Sequence, residues 1–96
     1  MVDAYIRCFT IDDFLSALQD AEKAGFLWGT GKRPTDIDVA AVFNNYGSRT
    51  VLHASSVNYA SNLFIPKILY YSDVSFYSGN YGIETFETEF PSEVFE

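Results

Sequence analysis

The chain has 96 residues, enough for one domain and too few for two. Apolar residues make up 48% and aromatics 18%, which excludes a disordered chain, and the formal net charge of −7 argues against direct nucleic-acid binding. The charge is uneven: residues 1–67 hold all six Lys and Arg against seven acids, whereas residues 68–96 hold six acids and no Lys or Arg.

Cys8 is the only cysteine, so no intrachain disulfide and no multi-cysteine metal site is expected, and a reducing compartment fits. The N-terminus MVDAYIRCFT lacks the charged and apolar regions of a secretory signal, and no apolar run approaches a membrane span. The expectation is a cytoplasmic, single-domain protein spanning residues 1–96.

Ala4–Thr10 reads as a strand carrying Tyr5, Ile6, Cys8 and Phe9. Thr10 then has the character of a helix N-cap, with Asp12 and Asp13 placed to complement the helix dipole. Ile11, Phe14, Leu18 and Ala21 recur at helical spacing, Leu15 widens the stripe, and Gly25 is a natural stop after Ala24. Phe26, Leu27 and Trp28 form a short apolar block, Trp28 covering the core edge between helix and sheet. Residues 29–36 have the Gly, Pro and Thr content of a loop.

Asp38–Phe43 is apolar on both alternating faces, as a covered central strand would be, and Asn44–Ser48 is a turn. Arg49–Ser55 is then the return strand of a hairpin. Ser56–Pro66 is compatible with a loop or a short helical turn. Lys67–Tyr77 reads as a strand and Ser78–Gly82 as a turn. Ile83–Phe90 alternates as an edge strand or a tail, and Pro91–Glu96 is expected to be loose. The fold class is α+β: one main helix on a small antiparallel or mixed sheet of four to five strands.

No constellation of residues rises to a catalytic apparatus. Gly29-Thr30-Gly31-Lys32-Arg33 lacks the first glycine of a phosphate loop and has Arg where Ser or Thr should follow Lys. His53 has Ser55 and Ser56 close in sequence, but a triad is a matter of geometry, so a structural histidine is expected. Cys8 in an apolar strand reads as a core residue. Asp12, Asp13, Asp20 and Glu22 read as a solvated helix face, and neither metal nor cofactor is expected.

The most unusual stretch runs from Glu84 to Glu96. As a strand it would set Glu87 and Glu89 about 6.8 Å apart on one face. That spacing is comparable with successive phosphates, so this segment is either a partial phosphate mimic or a solubilising tail that lends Phe86 and Phe90 to the sheet.

Asp13-Phe14, Leu18, Ala24-Gly25-Phe26-Leu27-Trp28, Gly31, Pro34-Thr35 and Arg49-Thr50-Val51 form a pattern of helix, Gly-aromatic-x-Trp, loop and two strands. In this pattern the chain resembles small accessory proteins of bacteriophages and prophages of Gram-positive bacteria. The resemblance covers under half the chain and carries no catalytic residue. It implies a non-enzymatic inhibitor or regulator of a host protein, in the manner of anti-CRISPR and anti-restriction proteins. The expected partner is a host defence nuclease complex, met through Asp73, Tyr77, Tyr81, Glu84, Glu87, Glu89 and Glu93, with Tyr70 and Tyr71 as further aromatic anchors. The chain would act as a monomer or homodimer. The alternatives are a homo-oligomeric assembly module and a small-molecule binder, for instance of nucleotides, using Trp28, Lys32 and Arg33.

Overall fold

A computed structural model describes residues 2–57 and 66–95. It is an α+β domain built on a four-stranded mixed sheet: β1 (Val2–Cys8), β2 (Leu27–Trp28), β3 (Thr50–Ser56) and β4 (Lys67–Asp73), in the order β1-β3-β4-β2. The two long pairings are antiparallel, and β2 runs parallel to β4. Among the described residues three α-helices accompany the sheet: α1 (Ile11–Lys23), α2 (Val39–Asn44) and α3 (Val74–Tyr81). Among the described residues no helix is long and apolar enough to cross a membrane.

Local chemistry accounts for α1 at both ends. Thr10 and Asp13 exchange hydrogen bonds, the Asp13 N–H donating to Thr10 Oγ1 at 3.1 Å and the Thr10 N–H to Asp13 Oδ2 at 3.2 Å. This reciprocal box satisfies two otherwise orphaned donors. At the other end Gly25 takes φ 89°, and the Phe26 and Gly25 N–H groups turn back to the carbonyls of Ala21 and Glu22. A residue with a Cβ is strained at that φ, which is why glycine stops the helix. Phe14, Leu18 and Ala21 are buried as the spacing predicts, joined by Ala17. Ile11 is not part of the buried stripe: in the first turn it stands 40% exposed.

Three expectations are corrected. Residues 39–44 form a helix, not a strand, so the expected hairpin does not exist and β3 pairs with β1 and β4 instead. Val39, Val42 and Phe43 stand at i, i+3 and i+4 and turn toward the core. Asp38 supplies the cap, its Oδ1 accepting from the Ala41 N–H at 3.1 Å. Residues 74–77 likewise belong to α3, because Asp73 accepts from the Ser75 N–H at 2.8 Å and starts a helix where the strand was expected to continue. The expected turn at 78–82 is the end of that helix, closed by Gly82 at φ 66°.

The third correction concerns the C-terminus. Residues 83–90 make one parallel bridge, Ile6 with Glu87, rather than an edge strand. The end is not loose: Ser92–Phe95 forms a 3-10 turn, and Phe90, Pro91 and Phe95 are buried. Phe26 explains this. Phe90 and Phe95 meet its ring edge-on at centroid distances of 5.6 and 4.8 Å. Lys67 ties the arrangement together by donating to the Ala24 carbonyl at 2.8 Å and the Phe95 carbonyl at 3.3 Å.

The core therefore lies on one face of the sheet, where Ala4, Ile6, Cys8, Leu52, Ala54 and Leu69 meet α1, α2 and the C-terminal phenylalanines. Burial pushes the Cys8 thiol up to about 12, which keeps it a core residue and not a thiolate. Trp28 packs half-buried against the core, its indole N–H donating to the Pro34 carbonyl at 3.0 Å. The part of Ser56–Pro66 expected to be loop or helical turn lies, at residues 58–65, outside the described residues.

Candidate functional site: an aromatic cleft on the second face of the sheet

Alternation along each strand sends a second set of side chains to the face opposite the core. Register aligns Tyr5, His53 and Tyr70 directly across three adjacent strands. Tyr5 stacks on His53 at 4.5 Å with an interplanar angle of 17°, and His53 meets Tyr70 at 5.4 Å. Cross-strand aromatic neighbours of this kind stabilise a sheet and fix its register.

α3 lies over part of the same face. Tyr77 meets Tyr5 and His53 edge-on at 5.3 and 5.4 Å, and Tyr81 stacks on Tyr77 at 5.6 Å. Phe76 completes the wall against Tyr77 and Tyr81. Between helix and strands is a cleft of about 700 Å³, whose lining includes Asp3, Ser55 and Ser72 besides the rings. No Lys or Arg lines it among the described residues.

His53 Nε2 lies 2.9 Å from Asp3 Oδ1. The histidine is thereby held by a carboxylate on one side and a tyrosine ring on another, as a structural residue would be. Burial, with Asp3 and Tyr81 adding to it, raises the Tyr5 phenol, and burial raises that of Tyr77 much further. Both rings remain neutral hydroxyls at ordinary pH. Among the described residues no group of three His, Cys, Asp or Glu is arranged to hold a metal ion.

The residues expected at a partner surface divide into three groups. Tyr81 is 54% exposed and stands at the cleft, whereas Tyr77 is only 2% exposed and forms its buried wall. Asp73 is engaged internally: Arg49 Nε and Nη2 each donate to one of its oxygens at 2.9 Å, and Ser75 adds its N–H and hydroxyl. The Arg49 bonds, then those from Ser75, hold its carboxyl far below the usual carboxylate range.

Glu84, Glu87, Glu89 and Glu93 are all exposed, and none forms an ion pair among the described residues. The strand that would align Glu87 and Glu89 does not form, and the two line different clefts. Glu87 sits at the β1 edge with Asp3, Tyr5 and Phe86, next to the aromatic cleft, while Glu89 faces Asp13 and Asp20 across a groove beside α1.

The Asp73 geometry gives a pH prediction. Its folded pKa is depressed, so its contribution to stability is complete above the unfolded value of about 3.9 and is lost as pH falls from there toward the folded value. Asp73→Asn should melt below the wild type at neutral pH, with the gap closing steadily in acid. Thermal melts at several pH values between neutral and about 2 read this directly, and a gap independent of pH would disprove the assignment. Arg49 is half exposed, so the gap at neutral pH should also shrink with added salt.

Of the cleft residues, the sequence reading singled out Tyr70, Tyr71, Tyr77 and Tyr81 as anchors but missed Asp3 and Tyr5 as partners of His53. The signal was present: Asp3, Tyr5 and Arg7 alternate with Ala4, Ile6 and Cys8, a polar and aromatic set against a purely apolar one. Comparison with protein-family models, with curated proteins and with solved structures found no match to this chain.

Proposed function

We propose that the chain works by docking, as a non-enzymatic inhibitor of the phage accessory type that occupies a basic, nucleic-acid-binding surface of a host defence nuclease. The observation that carries this reading is the continuity of the aromatic cleft with the acidic segment. The cleft and the adjoining groove lined by Thr85, Phe86 and Glu87 share Asp3 and Tyr5, and the Glu87 backbone bonds to Tyr5 and Arg7. Aromatic rings provide contact area at low entropic cost, and an acidic margin steers encounter with a basic surface.

The test is capture of the nuclease complex with the tagged chain, followed by its affinity across ionic strength and in a Glu87→Lys, Glu89→Lys variant. Affinity should fall steeply as salt rises, because screening shortens the reach of exposed charges to about 10 Å at 0.1 M. The double reversal should weaken inhibition sharply without lowering the melting temperature, since exposed substitutions usually change stability by about 0.5 kcal/mol or less. Salt-insensitive binding, or full inhibition by the variant, would defeat the electrostatic reading.

A second reading has its own support. Trp28, Lys32, Ile37, Val42 and Leu69 line a mainly apolar pocket of about 480 Å³ that shares Tyr70 and Tyr71 with the aromatic cleft and is in the size range of small-molecule sites. Arg33, expected there, is not among its lining residues. A nucleotide or similar planar anion held by Lys32 should raise the melting temperature. A uniformly null thermal-shift screen would remove this reading.

A further inference from the structure

We propose that the open end of the aromatic cleft is a receptor for an arginine side chain of the partner, with the guanidinium stacked on Tyr70 and its charge answered by Asp3. This rests on the docking reading and names the chemistry of its central contact.

The cleft combines fixed and accessible rings. Tyr77 is 2% exposed and packs against Tyr5, His53 and Tyr81, so the floor and wall are set before any partner arrives. Tyr70, Phe76 and Tyr81 are 47%, 42% and 54% exposed, leaving open ring surface around the cleft. Preorganisation of this kind removes part of the ordering cost of binding.

Charge selects the occupant. Aromatic rows on sheet faces also stack nucleobases, but a nucleic-acid strand brings phosphates that need cations beside the rings. Among the described residues the lining supplies the Asp3 carboxylate and no Lys or Arg, and Glu87 stands on the adjoining surface. Asp3 Oδ1 contacts His53, while the Asp3 side chain keeps 28% of its surface exposed. A cation over aromatic faces beside a carboxylate gains from both. Arginine fits better than lysine because its planar group stacks while its fork of N–H donors reaches a carboxylate.

The experiment titrates the full chain with a capped tri-arginine peptide, following the ring resonances of Tyr70 and His53 by NMR. A capped tri-lysine peptide and a short oligothymidine serve as comparators. The expected result is saturable movement of the Tyr70 and His53 signals with tri-arginine, weaker with tri-lysine. Measured well below the variants' melting temperatures, Tyr70→Ala should weaken binding by roughly five-fold, Tyr70→Phe should restore it, and Asp3→Asn should weaken it as well.

Tri-arginine shifts confined to residues 84–93, wild-type affinity in Tyr70→Ala, or cleft shifts with oligothymidine in place of the peptide would each overturn the proposal. If the Glu87→Lys, Glu89→Lys variant loses the peptide while Tyr70→Ala keeps it, the arginine site falls and electrostatic docking stands. If nuclease binding proves salt-insensitive while the Tyr70-dependent arginine response persists, the docking reading falls and the site stands.

Discussion

Phe14→Ala is expected to lower the unfolding free energy by about 3–5 kcal/mol, the range for removing a fully buried phenylalanine. Phe14 has no exposed surface and sits at the centre of the buried stripe of α1, its ring 5.9 Å from that of Phe43 on α2. The loss combines the transfer free energy of the ring with the cavity it leaves between two helices and the sheet. A small domain has about 5–15 kcal/mol in total, so the variant would stand close to its unfolding limit. Urea denaturation reads the effect as a lower midpoint at unchanged slope. Phe14→Leu, which keeps most of the volume, should cost about 1 kcal/mol. A loss below about 1 kcal/mol for Phe14→Ala would show that α2 moves in to refill the site, and that the contact between the helices is not fixed.

The second large effect is expected at the C-terminus. Phe90 and Phe95 are 6% and 7% exposed, and both pack on Phe26 and on each other, the last pair at 5.6 Å. Either single alanine substitution should cost roughly 3 kcal/mol, toward the lower end for a buried ring because both sites lie near the protein margin. The double variant should lose less than the two singles together, since touching residues share their contacts. It should nevertheless be close to its unfolding midpoint at 25 °C if the total stability is at the low end for small domains, about 5 kcal/mol. Chemical denaturation of the four-member cycle checks both statements. Native-like stability in the double variant would mean that the segment contributes nothing to the core and would return it to the loose tail expected from composition.

The second result bears on the proposed docking surface, because Phe90 and Phe95 position the acidic segment. Phe90 and Phe95 anchor the chain beyond Glu89, and the Glu87 backbone pairs with Tyr5 and Arg7 at 2.9 Å on each side. Glu87 is thereby held along the edge of β1, and Glu89 lies between these two fixed points. Loss of the anchors should therefore weaken partner binding through disorder of the acidic margin, whereas charge reversal acts without it. Melting and binding measured on the same variants separate the two causes.

The sequence determined the parts of this protein whose signals are local. Thr10, Asp13 and Gly25 bound α1 because caps and stops act within one helical turn, and Phe14, Leu18 and Ala21 mark its buried face by their spacing. The strands from Thr50 and Lys67 were legible from their side chains, as was the α+β class. Tertiary structure decided the rest. Val39, Val42 and Phe43 suit a covered strand or a helix equally in a short apolar run, and packing against α1 selects the helix. Asp73 ends β4 by capping α3, a role that also depends on Arg49, 24 residues away. The C-terminal phenylalanines could not be distinguished from tail residues until Phe26 was placed beneath them. The cleft, above all, exists only through register: Tyr5, His53 and Tyr70 are far apart in the chain and meet because β3 lies between β1 and β4. Strand order is a non-local choice, set by which faces can be buried together, and a one-residue shift of any of these strands would send its own ring to the opposite face.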